Sequence, residues 1–271
     1  MEIHYRLIQY QPDPLFPAPV TVGVIAWTGS AVGLRLLGQY KDDKALRPGA
    51  FVRAFRLESG LVEIVYEWLH RFVEIQRRYN DGNIEKLITE LDELDGSSPF
   101  TCEEAGEIDA DASAFADVMD DIYRRAVLNN TEVRKAYLED QVESIIEFSE
   151  AFPHKESLIA DAEIELLPKG KLGRGLLSFL WFYDAEPRSI GVKVLDFGQD
   201  SVSVGRQVAE AINCFEVAIS RKVLEPRGCI IFHDATANEY PQYLRWIQSA
   251  ATTIDINSED ALWTFKNSIL S

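Results

Sequence analysis

The chain is predicted to be an α/β (α+β) protein in two parts. Three observations carry this. Its opening 40 residues alternate apolar and polar positions with the two-residue period of strands, and proline or glycine turns separate the runs. Its middle repeats apolar residues at helical spacing. Its second half places three extended runs, a long amphipathic helix and one further strand in succession, an order that suggests a mixed sheet flanked by helices.

Tyr5 to Tyr10 is the first expected strand, and Pro12, Pro14, Pro17 and Pro19 form a stiff turn after it. Val20 to Trp27 follows, with Val20, Val22 and Val24 on one face and Gly23 on the other. Ala31 to Leu37 completes an antiparallel meander. Leu61 to Arg78 repeats Leu61, Val65, Trp68, Leu69, Phe72 and Ile75 at helical spacing, and a shorter helix runs through Ile84, Leu87, Leu91 and Leu94. Phe100 to Ile108 is extended. A helix from about Ala112 to Val127 turns Phe115, Val118, Met119 and Ile122 inward, which leaves Asp117, Asp120 and Asp121 on a solvent face.

Asn129-Asn130-Thr131 is the expected boundary between an acidic domain, 1–128, and an α/β domain, 132–271. Thr131 is placed to cap a helix through Ser149. Ala162 to Leu167, Leu176 to Tyr183 and Ile190 to Phe197 are the extended runs that follow. The basic, glycine-rich loop Lys169 to Gly175 joins the first two. Ser201 or Ser203 caps the helix marked by Val204, Val208, Ala211, Ile212 and Phe215. A strand over Gly228 to His233 and helices over Pro241 to Ala250 and Glu259 to Leu270 close the chain.

Composition narrows the function. No run of about 18 apolar residues exists, so no membrane span is expected, and the N-terminal residues lack the pattern of a signal peptide. Three scattered cysteines, Cys102, Cys214 and Cys229, suit reduced core thiols better than a disulfide framework or a zinc site. Together these point to the cytoplasm, with no cofactor and no metal. The net charge is −17. Between Asp81 and Val127 only Lys86, Arg124 and Arg125 oppose a dense set of acids that includes Glu103, Glu104, Asp117, Asp120 and Asp121. Such a surface repels phosphate backbones and attracts basic proteins. It is either a solvated face, a docking face for a basic protein partner, or a mimic of nucleic acid; direct nucleic-acid binding is not expected.

Tyr10-Gln11-Pro12-Asp13-Pro14, followed by Val20-Thr21-Val22-Gly23-Val24-Ile25, resembles the opening of the bacterial DUF family 3037, and the acidic helix over Asp111 to Val127 looks similar too. The family usually has asparagine where this chain has Thr21. It has no established chemistry, and its genes often neighbour kinase-like toxins. The resemblance therefore implies a toxin–antitoxin or defence context in bacteria or phage.

The order of the second half resembles the restriction-endonuclease-like core. Active members place an aspartate on the second strand and Glu/Gln-x-Lys on the third, to hold Mg²⁺ and position a water. The corresponding places here are Asp184 and Gly191-Val192-Lys193, with Glu143 or Glu139 on the leading helix and Asp196 able to supply a further acid. Glycine cannot ligate a metal, so the resemblance implies a degenerate, pseudo-nuclease site; a nuclease with a rearranged site is the rival. His233-Asp234, at a strand end, reads either as a structural histidine or as a catalytic one. The leading expectation is a non-catalytic protein-interaction component.

Overall fold

The computed structural model describes residues 1–11, 18–39, 46–79, 82–94, 98–149, 158–165, 174–182 and 189–270. It has mixed α/β architecture with two separate sheets. The chain divides into two compact units, Met1–Tyr137 and Leu138–Ser271.

In the first unit β1 (Glu2–Tyr10), β2 (Val20–Trp27), β3 (Val32–Leu36) and β4 (Phe100–Asp109) form an antiparallel sheet in the order β3-β2-β1-β4. The meander is as expected, and the extended Phe100 segment joins its far side by pairing with β1. Gly23 has a physical reason: a Cβ there would lie 2.6 Å from Leu36 Cδ2 and 2.9 Å from the Arg35 carbonyl oxygen. Helices α1 (Gly49–Phe55), α2 (Ser59–Arg78), α3 (Ile84–Leu94) and α4 (Phe115–Ala126) complete the unit. Val65, Leu69, Phe72 and Ile75 of α2 bury in one core with Ile8, Val24, Ile25, Leu91 and Phe100. The fourth helix begins at Phe115, later than the expected Ala112, because 112–114 form a 3-10 turn.

The second unit holds a five-stranded sheet of β5 (Leu158–Glu165), β6 (Arg174–Phe182), β7 (Ser189–Leu195), β8 (Cys229–His233) and β9 (Thr252–Asp255), in that spatial order. β5, β6 and β7 pair antiparallel, whereas β7, β8 and β9 pair parallel. The sheet is therefore mixed. Helix α5 (Thr131–Phe148) precedes it, α6 (Ser201–Ser220) links β7 to β8, α7 (Pro241–Ala250) links β8 to β9, and α8 (Ala261–Leu270) closes the chain. Val204, Val208, Ala211 and Phe215 of α6 bury with Leu177, Leu195 and Ile231 of the sheet.

The compact units meet inside α5, after Tyr137, and Val133 and Tyr137 pack with the first core. Several expectations are corrected. Asn130, not Thr131, caps α5: its Oδ1 accepts from the backbone N–H of Glu132 (3.1 Å) and Val133 (3.2 Å). Asp200, not a serine, caps α6, its Oδ1 accepting from Val202 and Ser203 N–H groups at 3.0 and 3.1 Å. The first strand of the second sheet runs Leu158–Glu165 rather than from Ala162, and β9 and α1 were not expected at all.

Candidate functional site

Two regions bear on function, one in each unit. In the second, the parallel strands bring polar groups together at their carboxyl ends, where α/β sheets commonly place ligands. Leu195 pairs with His233 and His233 with Asp255, so Asp196 and Asp234 emerge side by side just beyond β7 and β8. Asp196, His233 and Asp234 are all buried.

Local hydrogen bonds account for these groups. One Asp196 oxygen accepts from Gly198 N–H at 2.9 Å and the other from Gln199 Nε2 at 3.2 Å, which folds the chain toward the start of α6. The Gln207 amide braces the same turn, its Oε1 accepting from Asp196 N–H at 3.3 Å. Asp234 accepts from the backbone N–H of Thr236 at 3.1 Å and from the Thr236 hydroxyl, capping the turn over 235–239. His233 Nδ1 lies 3.0 Å from the Asp234 carbonyl, a contact that requires the proton on Nδ1 because a carbonyl only accepts. Its ring meets Phe197 edge to face, centroids 6.0 Å apart. These are the bonds of a well-satisfied strand end.

The nuclease-like positions do not assemble into a metal site among the described residues. Asp184 and the loop Lys169 to Gly175 lie outside them, apart from Arg174 and Gly175 in β6. Gly191, Lys193 and Leu195 share a face of β7 by the two-residue period, and that face turns toward α6. A Cβ on Gly191 would lie 2.5 Å from Leu224 Cδ1 and 3.2 Å from Leu177 Cδ1, so apolar packing occupies the place of the motif's acid. Lys193 is half-buried on the same face, where its charge reaches the Cys214 thiol. Glu143 is half-buried on α5. Burial pushes the Cys214 thiol up and the Cys229 thiol up to about 12, as expected of inert core cysteines.

In the first unit the acids divide into engaged and exposed sets. The expected free face of α4 is corrected. Asp117 is exposed, but Asp120 Oδ1 takes a hydrogen bond from Arg35 Nε at 2.8 Å and lies 2.6 Å from its NH2 group. Asp121 pairs with Arg124 at 2.5 Å and Arg125 at 2.8 Å. The Arg124 hydrogen bond, aided by the Arg125 charge, holds the Asp121 carboxyl below the usual carboxylate range. On β4, Glu103 is exposed and accepts from Gln9 Nε2 at 3.0 Å, while the Glu104 side chain lies outside the described residues.

Sequence reasoning passed over two features of this unit. The outer side of α2 carries Leu61 and Ile64, 48% and 49% exposed, with Trp68 one turn on beneath the Arg71 guanidinium, 5.0 Å from its ring. Glu63, Glu67 and Glu74, all exposed, run alongside at helical spacing. The second feature is a trio on the β1–β4 ladder, in which Glu2, His4 and Glu107 bring one donor atom each within 4.8 Å of one another. Comparison with protein-family models, curated proteins and solved structures finds no match to this chain. No helix among the described residues is long and apolar enough to cross a membrane.

Proposed function

We propose that the chain is a non-catalytic protein-interaction component that binds a basic partner through the acidic surface of its first unit. The observation that carries the reading is the outer side of α2, where an exposed apolar strip of Leu61 and Ile64 is bordered by Glu63 and Glu67, with exposed Glu74 about two turns beyond Glu67. Burying apolar area favours association, and what exceeds the lost freedom of the two partners appears as affinity. The carboxylates beside it steer a basic surface into register and disfavour acidic competitors. Asp117 and Glu103 are further exposed acids of this unit, whereas Asp120 and Asp121 are held by arginines of the same chain. The resemblance to DUF family 3037 supports a bacterial or phage defence or toxin–antitoxin setting for such a component, in the cytoplasm. In the second unit, the use of Asp196 and Asp234 as turn caps, and the packing that fills the Gly191 position, favour a scaffold over a working nuclease.

The test begins with a partner recovered from bacterial extract and purified, whose affinity for the whole chain is then measured against salt. Reversing Glu63, Glu67 and Glu74 to lysine should weaken binding at least about ten-fold at low salt and flatten its salt dependence. Ile64→Ser should weaken it at all salt concentrations. Affinity unchanged in both variants refutes the reading.

A further inference from the structure

His4 sits at the centre of a small ladder of side chains. Glu2 and His4 are two residues apart on β1 and so project from one face of the sheet. Across the ladder His4 pairs with Glu107 of β4 on one side and with Trp27 of β2 on the other. The His4 ring lies roughly parallel to the Trp27 indole, 21° between planes and 6.1 Å between centroids. Nε2 faces Glu2 Oε2 at 3.7 Å, and Nδ1 faces Glu107 Oε2 at 3.8 Å. Two hydrogen-bonded strands, β1 and β4, thus hold the Cα positions of one imidazole and two carboxylates, with β2 pairing on the far side of β1.

We propose that Glu2, His4 and Glu107 form a binding site for a divalent transition-metal ion of the zinc type. His4 would give one ring nitrogen and each glutamate one oxygen, with solvent completing the shell. Metal–donor distances near 2.1 Å in a tetrahedral site put donors about 3.4 Å apart. The present donors lie within 4.8 Å of one another, so closure needs movements on the order of 1 Å. The glutamate side chains, 55% and 66% exposed, are free of core packing that would oppose such rotation. Chemistry selects the ion: an imidazole donor favours zinc, nickel or copper over magnesium or calcium, which prefer oxygen alone. Charge also fits, since two carboxylates around a neutral imidazole balance a 2+ ion, and the surplus of acids over the whole chain draws cations toward its surface. Competing thiolates are absent from the described surface, because Cys102, Cys214 and Cys229 are all buried. The proposal is independent of the partner-binding reading.

The experiment is calorimetric titration of the metal-free whole chain with Zn²⁺, repeated with His4→Ala, Glu107→Gln and Glu2→Gln. Wild type should take up one ion per chain at this site. His4→Ala should lose at least about ten-fold in affinity, and each glutamine variant should lose affinity measurably. Co²⁺ in place of Zn²⁺ should give visible absorption bands of a four- or five-coordinate ion that vanish in His4→Ala. Circular dichroism confirms that each variant folds, and the two surface glutamine variants keep the test decisive if His4→Ala does not. Equal stoichiometry and affinity in wild type and all folded variants, or no saturable uptake by wild type, overturns the proposal and leaves the trio as close histidine–carboxylate contacts.

Discussion

Replacing Gly191 tests both the packing of the second unit and the scaffold reading proposed for it. A methyl group at this position would sit 2.5 Å from one Leu224 methyl, 3.2 Å from the other and 3.2 Å from Leu177 Cδ1. Leu224 is 3% exposed and Leu177 is fully buried, so Leu224 must move within a closed core to make room. Gly191→Ala should therefore destabilise the unit by about 1–3 kcal/mol through overpacking. Leu224→Ala alone should cost about 2–5 kcal/mol through the cavity it leaves. In the Leu224→Ala background the Gly191→Ala methyl fills part of that cavity, and its cost should fall to about 0.5 kcal/mol or less. The coupling between the two sites is then on the order of 1–2 kcal/mol. Urea unfolding followed by far-ultraviolet circular dichroism measures each step; with a slope of about 1–3 kcal/mol per molar, a 2 kcal/mol change moves the midpoint by about 1 M. Gly191→Glu, which places an acid where the nuclease-like resemblance would expect one, should cost more than Gly191→Ala, since it also brings a carboxyl group among apolar atoms. It should produce no Mg²⁺-dependent cleavage of DNA or RNA. Equal cost of Gly191→Ala in both backgrounds would refute the packing argument. A Gly191→Glu variant that folds as well as wild type and cuts nucleic acid would refute the scaffold reading.

Two further outcomes follow from the ion pairs and caps. Asp120→Ala strands the largely buried Arg35 guanidinium and should cost the first unit about 1–2 kcal/mol in a thermal melt, whereas Glu63→Lys on the exposed side of α2 should stay within about 0.5 kcal/mol. Asp200→Ser should keep α6 capped and Asp200→Ala should not; the Asp200 carboxyl is held below its usual value chiefly by the Ser203 hydroxyl, then by the Ser203 and Val202 N–H groups. With the folded value depressed, the wild-type carboxylate stabilises fully above the unfolded value of about 3.9 and loses that contribution as pH falls through the lower folded value. Asp200→Ser should remove this component of the acid dependence, read from urea midpoints at neutral and acid pH.

The fold class was legible because the first strands and two of the long helices, α2 and α6, state their own periods. Val20 to Trp27 shows the strand alternation, and α2 and α6 each show an apolar stripe that the structure buries. Short elements stated none. α1 has seven residues, less than two full turns beyond its ends, and β9 has four and gains its identity only by pairing with β8. The caps were misplaced by one to three residues because Asn130-Thr131 and Asp200-Ser201-Val202-Ser203 each offer several good oxygens; the oxygen that wins belongs to the residue just before the first helical turn.

Sites were harder to read because each depends on partners distant in the chain. Helical spacing correctly separates the inner and outer sides of α4, yet it cannot show that Arg35, 85 residues earlier, reaches Asp120 and closes part of the acidic face. The same blindness hid α2: its spacing groups Leu61 with Val65, Leu69 and Phe72, and only the packed unit shows that Leu61, with Ile64, remains uncovered. Glu2-Ile3-His4 carries a readable signal, two possible ligands on one face of a strand, but the third donor arrives with β4. For this chain the informative surface residues are those left over after internal pairing. Asp120 and Asp121 already serve the first unit's own arginines, so mutations there confound binding with stability, and the exposed Glu63, Glu67 and Glu74 are the acids on which a docking experiment can be decided.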